Sequence, residues 1–235
     1  MRNSNLKFRH ELKYLISEPE KEVIARRLST IMQRDAHAKD GRYFIRSLYF
    51  DDEWENAYEE KLAGTNERKK YRIRIYNLED SVIRLECKRK EGQYINKISA
   101  KLTRKETDKL IAGVYDFLKD RPEQVCKDFY LECALNRMKP KVIVDYDREP
   151  YVYTYGDVRI TFDEHVRGGV FENELFDKAL PVMEVLEPGQ LIMEVKFTEY
   201  LPEIIRDLLR VDDCIYTAAS KYVLCLEKRK EYIGD

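Results

Sequence analysis

The chain has 235 residues, 37% of them charged, yet 43 lysines and arginines against 44 aspartates and glutamates leave a formal net charge of −1. That balance excludes recognition by bulk charge, so any binding signal lies in where the charges sit. Hydrophobic residues at 43%, with 17 tyrosines and 9 phenylalanines, exclude disorder. The N-terminus carries no apolar stretch and no run of about 18 apolar residues occurs, so neither a secretion signal nor a membrane-spanning helix is expected, and the expected location is the cytoplasm. Cys87, Cys126, Cys133, Cys214 and Cys225 form no C-x-x-C pair and read as buried thiols in a reducing compartment. Length and the lack of a linker predict one domain over 1–235.

In chain order, residues 5–16 alternate as a strand, with Arg9, Glu11 and Lys13 on one face. Ser17 with Glu20 is a capping box that predicts a helix to about Gln33. Arg42–Asp51 is a second strand, followed by a short helix from Glu53 to about Leu62. In Tyr71–Tyr76, Arg72 and Arg74 share a face with no acid between them, so they repel unless an anion joins them. Ile83–Lys88 repeats the pattern with Arg84, Glu86 and Lys88. The turn at Glu91-Gly92-Gln93 predicts a hairpin back through Tyr94–Lys101, with Lys97 and Ser99 on one face. Thr103 with Glu106 caps helical sequence to about Met138, divided at Pro122. Strands resume at Lys141–Tyr155 and Val158–Asp163; Gly168-Gly169 and Pro188-Gly189 mark turns around Pro181–Glu187 and Leu191–Thr198. Leu201–Leu209 and Ser220 to about Tyr232 read as helices. Many antiparallel strands with interspersed helices make an α+β domain.

On the five clearest strands the polar faces hold Arg9, Glu11, Lys13, Arg72, Arg74, Arg84, Glu86, Lys88, Arg159, Asp163, Glu194 and Lys196, eight bases to four acids. One such face alone reads as a solvated strand surface. Recurrence on five strands with a bias to one sign favours a closed sheet, apolar outside under helices and charged inside, which also removes exposed strand edges. A basic interior calls for a polyanion. A triphosphate carries about four negative charges, and the arginine fork matches phosphate oxygens bidentately. A few acids would hold an accompanying divalent cation through oxygen ligands. No Walker A, HExxH or GxSxG sequence is present. His10, His37 and His165 are scattered and read as structural or surface residues.

Taken in order, the chain carries Glu11-Leu12-Lys13-Tyr14, Ser47-Leu48-Tyr49-Phe50-Asp51, Arg72-Ile73-Arg74, Glu86-Cys87-Lys88, Lys97 after the next turn, Arg148, Arg159 to Asp163, Glu194-Val195-Lys196 and Ser220-Lys221-Tyr222. In this series it resembles the VTC domain, the polyphosphate polymerase module of the triphosphate tunnel (CYTH-like) superfamily, from Phe8 to about Leu226. The branch with adenylate cyclases and thiamine triphosphatases opens on E-x-E-x-K, whereas Arg9 stands here for the first glutamate. That favours the polymerase branch over a two-metal hydrolytic site.

The resemblance implies an eight-stranded antiparallel β-tunnel with helices packed outside. It implies transfer of the terminal phosphoryl of ATP to a growing polyphosphate chain, releasing ADP. Lys13, Arg72, Arg74, Lys88, Arg148, Arg159 and Lys221 would bind and polarise phosphates, with Arg9, Tyr49, Lys97, Lys196 and Ser220 as further substrate contacts. Glu194 is the first candidate for Mn2+ or Mg2+, followed by Glu11 and Asp163. Expected partners are ATP and polyphosphate and no nucleic acid. The chain reads as a free-standing catalytic domain without a transmembrane segment of its own, which leaves room for a membrane-protein partner that receives the polymer. Two alternatives stay open: a metal-dependent triphosphatase on the same fold, and a non-catalytic module binding RNA through basic and aromatic side chains.

Overall fold

A computed structural model describes residues 9–92, 94–210 and 215–234; Phe8 and Cys214 fall outside them. Strand β1 (His10–Ser17) ends on the predicted box: the Glu20 amide donates to the Ser17 hydroxyl at 3.4 Å, and the Ser17 amide donates back to the Glu20 carboxylate at 2.6 Å. This starts α1 (Glu18–Leu28). The helix ends earlier than its composition suggests. The Ser29 and Thr30 hydroxyls donate to the Ala25, Arg26 and Arg27 carbonyls, and the chain rejoins the sheet as β2 (Gln33–Arg34).

There follow β3 (Tyr43–Asp51), α2 (Asn56–Leu62), β4 (Glu67–Tyr76), β5 (Glu79–Glu91) and β6 (Tyr94–Leu102). The second capping box, Thr103 with Glu106, opens α3 (Arg104–Ile111), and Pro122 precedes α4 (Gln124–Asn136). Then come β7 (Lys139–Tyr153), β8 (Val158–Gly169), β9 (Val182–Glu184), β10 (Gln190–Phe197), α5 (Glu203–Leu208), β11 (Ile215–Tyr216) and α6 (Lys221–Ile233).

Eight of the strands run β1-β10-β8-β7-β3-β4-β5-β6, each antiparallel to the next, while the short β2, β9 and β11 attach at the margins. The two ends of this series meet at one point. Arg9 and Ile95 exchange backbone hydrogen bonds of 3.1 and 3.0 Å, where every other neighbour shares a ladder. The expected eight-stranded tunnel wall is therefore present, joined by seven ladders and left open along a seam where the eighth would run.

Alternation sorts the side chains. Outward residues of β1, β8 and β10, such as Ile160, Phe162, Met193 and Val195, pack under α1 and α5. Outward residues of β3, β4 and β5, such as Leu48, Ile73 and Leu85, pack under α3 and α4 around Phe129. The expectation that all helices lie outside is corrected by α6. Its Tyr222, Cys225 and Leu226 pack on Ile45, Tyr49, Val144 and Ile192, and Ile45 and Tyr49 share the inward face of β3. Gly168 and Gly169, expected as a turn, lie within β8. A Cβ on Gly168 would sit 3.2 Å from the Cys225 Cβ and carbonyl oxygen, so the missing side chain lets α6 enter.

Candidate functional site

The tunnel encloses a cavity of about 710 Å³. Its lining holds fourteen lysine and arginine side chains and, among the described residues, two carboxylates, Glu11 and Glu194. The β1–β10 register sets Lys13 opposite Glu194 and Glu11 opposite Lys196, so charge alternates across the ladder. Glu194 lies 2.6 Å from Lys196, 3.0 Å from Lys221, 3.3 Å from Arg148 and 3.6 Å from Lys13. Glu11 lies 2.6 Å from Lys88, 3.6 Å from Lys13 and 3.7 Å from Lys196. Burial opposes charge on both carboxyls, but these cations outweigh it and hold both below the usual carboxylate range.

Asp163 does not face the cavity. It is fully buried behind Glu194, where Arg148 grips it bidentately at 2.6 and 2.7 Å and Lys221 approaches to 2.5 Å. Among the described residues no three histidines, cysteines or acids gather as a metal cluster. Glu11 and Glu194, ionised and bridged by Lys13 and Lys196, are nevertheless hard oxygen donors at the cavity wall. They suit a cation whose remaining ligands are phosphate oxygens.

A second centre forms on β4 and β5. The two arginines do have an acid: Glu86, on the neighbouring strand, accepts from Arg72 at 2.7 and 2.8 Å and from Lys97 at 2.8 Å, and lies 3.7 Å from Arg74. The expected repulsion is thereby offset, and the three cations hold Glu86 well below the usual range against its burial. Arg72 also donates to the Tyr49 hydroxyl at 2.7 Å, and Arg74 to the Tyr146 hydroxyl at 3.0 Å. Toward one margin Arg159 donates to Asp35 at 2.7 Å and to the Tyr43 hydroxyl at 2.8 Å. Arg9 stands 3.9 Å from Asp157. Arg84 is exposed and takes no part in the lining.

Apart from Asp163, every residue expected as a phosphate, substrate or metal contact faces this one cavity: Lys13, Arg72, Arg74, Lys88, Arg148, Arg159, Lys221, Arg9, Tyr49, Lys97, Lys196, Ser220, Glu194 and Glu11. The sequence reading missed Lys61, Arg68, Lys70, Lys90, Tyr43 and Tyr146, which face it too. Lys70 donates to the Ser220 hydroxyl at 3.2 Å beside the first turn of α6. Burial first, then the charges of Lys13, Lys88, Lys61 and Arg68, push its ammonium down to about 6. A signal was available for two of them. The alternation that pairs Arg72 with Arg74 extends backward to Lys70 and Arg68.

An antiparallel tunnel lined by cations, with two ionised carboxylates on its wall, defines a protein of the triphosphate tunnel class. The sequence matches the VTC domain over residues 8–229, and the chain belongs to that family. Among curated proteins none matches it. Among solved structures, one from Hippeastrum is described as a candidate adenylyl cyclase with a dominant triphosphatase activity. It is similar at a TM-score of 0.56 and 13% identity, over 94% of this chain and 95% of that one. A protein of Pyrococcus horikoshii OT3 gives 0.48 and 17% identity, over 94% and 99%. A candidate adenylate cyclase of Bacillus halodurans gives 0.44 and 12%, over 97% and 91%. At 13% identity the likeness to the Hippeastrum protein is one of fold. No helix among the described residues is long and apolar enough to cross a membrane.

Proposed function

We propose that the protein is a polyphosphate polymerase that transfers the terminal phosphoryl group of ATP to the end of a polyphosphate chain inside the tunnel and releases ADP. The observation that carries this reading is the surplus of charge. Fourteen lysine and arginine side chains, all but Lys70 charged at neutral pH, face the cavity against Glu11 and Glu194, and the acids beyond its wall (Glu86, Asp163, Asp35 and Asp157) do not make up the difference. The remainder exceeds the about four negative charges of a single triphosphate and suits a longer polyanion.

In the transfer, a terminal oxygen of the acceptor chain forms a bond to the γ-phosphorus. The bond from that phosphorus to the β–γ bridging oxygen breaks, and ADP leaves with the electron pair. The attacking oxygen is already ionised at neutral pH, so no general base is required. Positioning and neutralisation carry the step. Arg72, Arg74 and Arg148 are held in place by hydrogen bonds to Glu86, Tyr49, Tyr146 and Asp163, which leaves their remaining N–H donors oriented for phosphate oxygens. Lys13, Lys88, Lys196 and Lys221 surround the Glu11–Glu194 wall as point charges, and Arg9, Lys97, Arg159 and Ser220 extend the contacts. Glu194, with Glu11 beside it, would hold Mn2+ or Mg2+ together with phosphate oxygens, and the cation would neutralise charge that builds on the leaving oxygen. Asp163 serves as a buried counter-ion that orients Arg148 and Lys221.

Purified protein given ATP and manganese is expected to yield ADP and acid-stable chains, seen as a gel ladder that an exopolyphosphatase digests. Stoichiometric free phosphate without a ladder, even with a short polyphosphate primer, replaces this reading with that of a triphosphatase.

A further inference from the structure

The cations of the tunnel fall into two groups. Lys13, Lys88, Lys97, Lys196, Lys221 and the arginines of the centre each lie against a carboxylate. Lys61, Arg68, Lys70 and Lys90 face the same cavity, and among the described residues none of them has an acid within ion-pair reach. These four are neighbours. Arg68 and Lys90 stand opposite each other in the β4–β5 ladder, Lys70 stands opposite Lys88 there, and Lys61 comes from α2.

Like charges directly opposed on a ladder destabilise it. Each of the four is half-buried, and burial weakens the charge on every one of them. Repulsion among the four adds to that effect on Lys61, Lys70 and Lys90, while the charge of Glu11 offsets part of it on Lys90 and that of Glu60 opposes burial on Arg68. Such an arrangement costs stability unless anionic charge is supplied from outside.

We infer that Lys61, Arg68, Lys70 and Lys90 form a second anion subsite, which grips the body of a linear polyphosphate chain while its terminal phosphate sits among the paired arginines. The inference rests on the polymerase reading for the identity of the chain. The side-chain chemistry differs between the subsites in the sense required. A reacting phosphate needs fixed geometry, and Arg72, Arg74 and Arg148 provide oriented forks. A chain that advances by one phosphate per cycle needs attraction without register, and three of the four residues here are lysines, point charges on flexible stems. Position fits as well. Arg68 and Lys70 continue the inward face of β4 on which Arg72 and Arg74 lie, so one extended anion can run along both.

The test compares tripolyphosphate with long-chain polyphosphate by equilibrium titration of the wild type and of a Lys61→Gln/Lys90→Gln variant at several salt concentrations. Long-chain affinity is expected to fall at least about tenfold. The slope of log affinity against log salt should fall by about one to two, as fewer counter-ions are released. Tripolyphosphate affinity should change less than about threefold. Equal losses for both ligands, or an unchanged long-chain affinity, overturn the inference. If the double variant loses its unfolding transition, the single Lys61→Gln and Lys90→Gln proteins are read in the same way. Because the readout is binding, a protein that splits by chain length but makes no polymer from ATP removes the polymerase reading and keeps the subsite. One that makes polymer without the split does the reverse.

Discussion

Arg72 and Glu86 face each other across the β4–β5 ladder and are joined by two hydrogen bonds of 2.7 and 2.8 Å, with Glu86 only 1% exposed. The arginine proposed to meet phosphate is thus also the most closely hydrogen-bonded counter-ion of a buried carboxylate.

Arg72→Ala is therefore expected to lower stability as well as abolish triphosphate binding. The loss should be about 2 kcal/mol in urea unfolding, less than for a fully orphaned charge because Lys97 and Arg74 remain near Glu86. Arg72→Lys should recover much of the stability and little of the activity, since an ammonium cannot reproduce the bidentate contact. Unchanged melting in Arg72→Ala would show that Glu86 is not held by this pair.

Glu194→Gln keeps the shape of the wall and removes the charge shared by Lys196, Lys221, Lys13 and Arg148. Activity should fall, and the manganese concentration at half-saturation should rise on the order of 10–100-fold. A metal titration that overlays the wild type would place the cation elsewhere.

Lys70→Met should stabilise the protein at neutral pH. The folded state holds this ammonium down at about 6, and the unfolded chain protonates it near 10.5. Between those values the unfolded state binds more protons, so Lys70 costs stability progressively as pH falls from 10.5 and in full below about 6. Lys13 from β1, Lys88 from β5, Lys61 from α2, Arg68 on its own strand and Ser220 and Tyr222 of the α6 end surround the group. The gain in melting temperature from Lys70→Met should be largest in acid and vanish toward pH 10.5. A gain independent of pH would assign the effect to packing.

Gly168→Ala should push on α6, whose Cys225 atoms would lie 3.2 Å from the new methyl. A loss of about 1–3 kcal/mol is expected from overpacking. Activity measured well below the melting temperature should fall too, because the same helix begins with Lys221 at Glu194 and Asp163. Full activity in a destabilised variant would separate the helix from the site.

Much of this site was legible because strand alternation is a strict rule: Arg72 with Arg74, Glu86 with Lys88 and Glu194 with Lys196 share faces by spacing alone. What lay across strands was not legible. The partner of Arg72 comes from a register between β4 and β5 that no spacing within either strand encodes. Lys70 and Arg68 lie within reach of the same alternation, but the apolar half of the pattern starts only at Tyr71, and element ends are the least legible part of a sequence. The entry of α6 into the tunnel was hidden for another reason. An amphipathic helix declares that it has an apolar face, and says nothing about which side of a sheet receives it. Gly168-Gly169 held the clue, since paired glycines mark close approach as readily as a turn.

On the polymerase reading, the seam between Arg9 and Ile95 bears on how a polymer enters the tunnel. Separating β1 from β6 breaks two backbone hydrogen bonds, about 1 kcal/mol each in net terms, together with the Glu11–Lys88 ion pair and the His10–Tyr94 ring contact, whereas parting β5 from β6 means unzipping a ladder from Ile83–Leu102 to Glu91–Tyr94. Among the described residues the wall is most thinly bonded at this seam, flanked by Arg9 and Lys97. A wall that parted along this line would act as a split collar, laid over the middle of a long strand as well as threaded onto its end. Backbone amide exchange at Arg9 and Ile95 that outpaces the rest of the eight-stranded wall would be the mark of that opening.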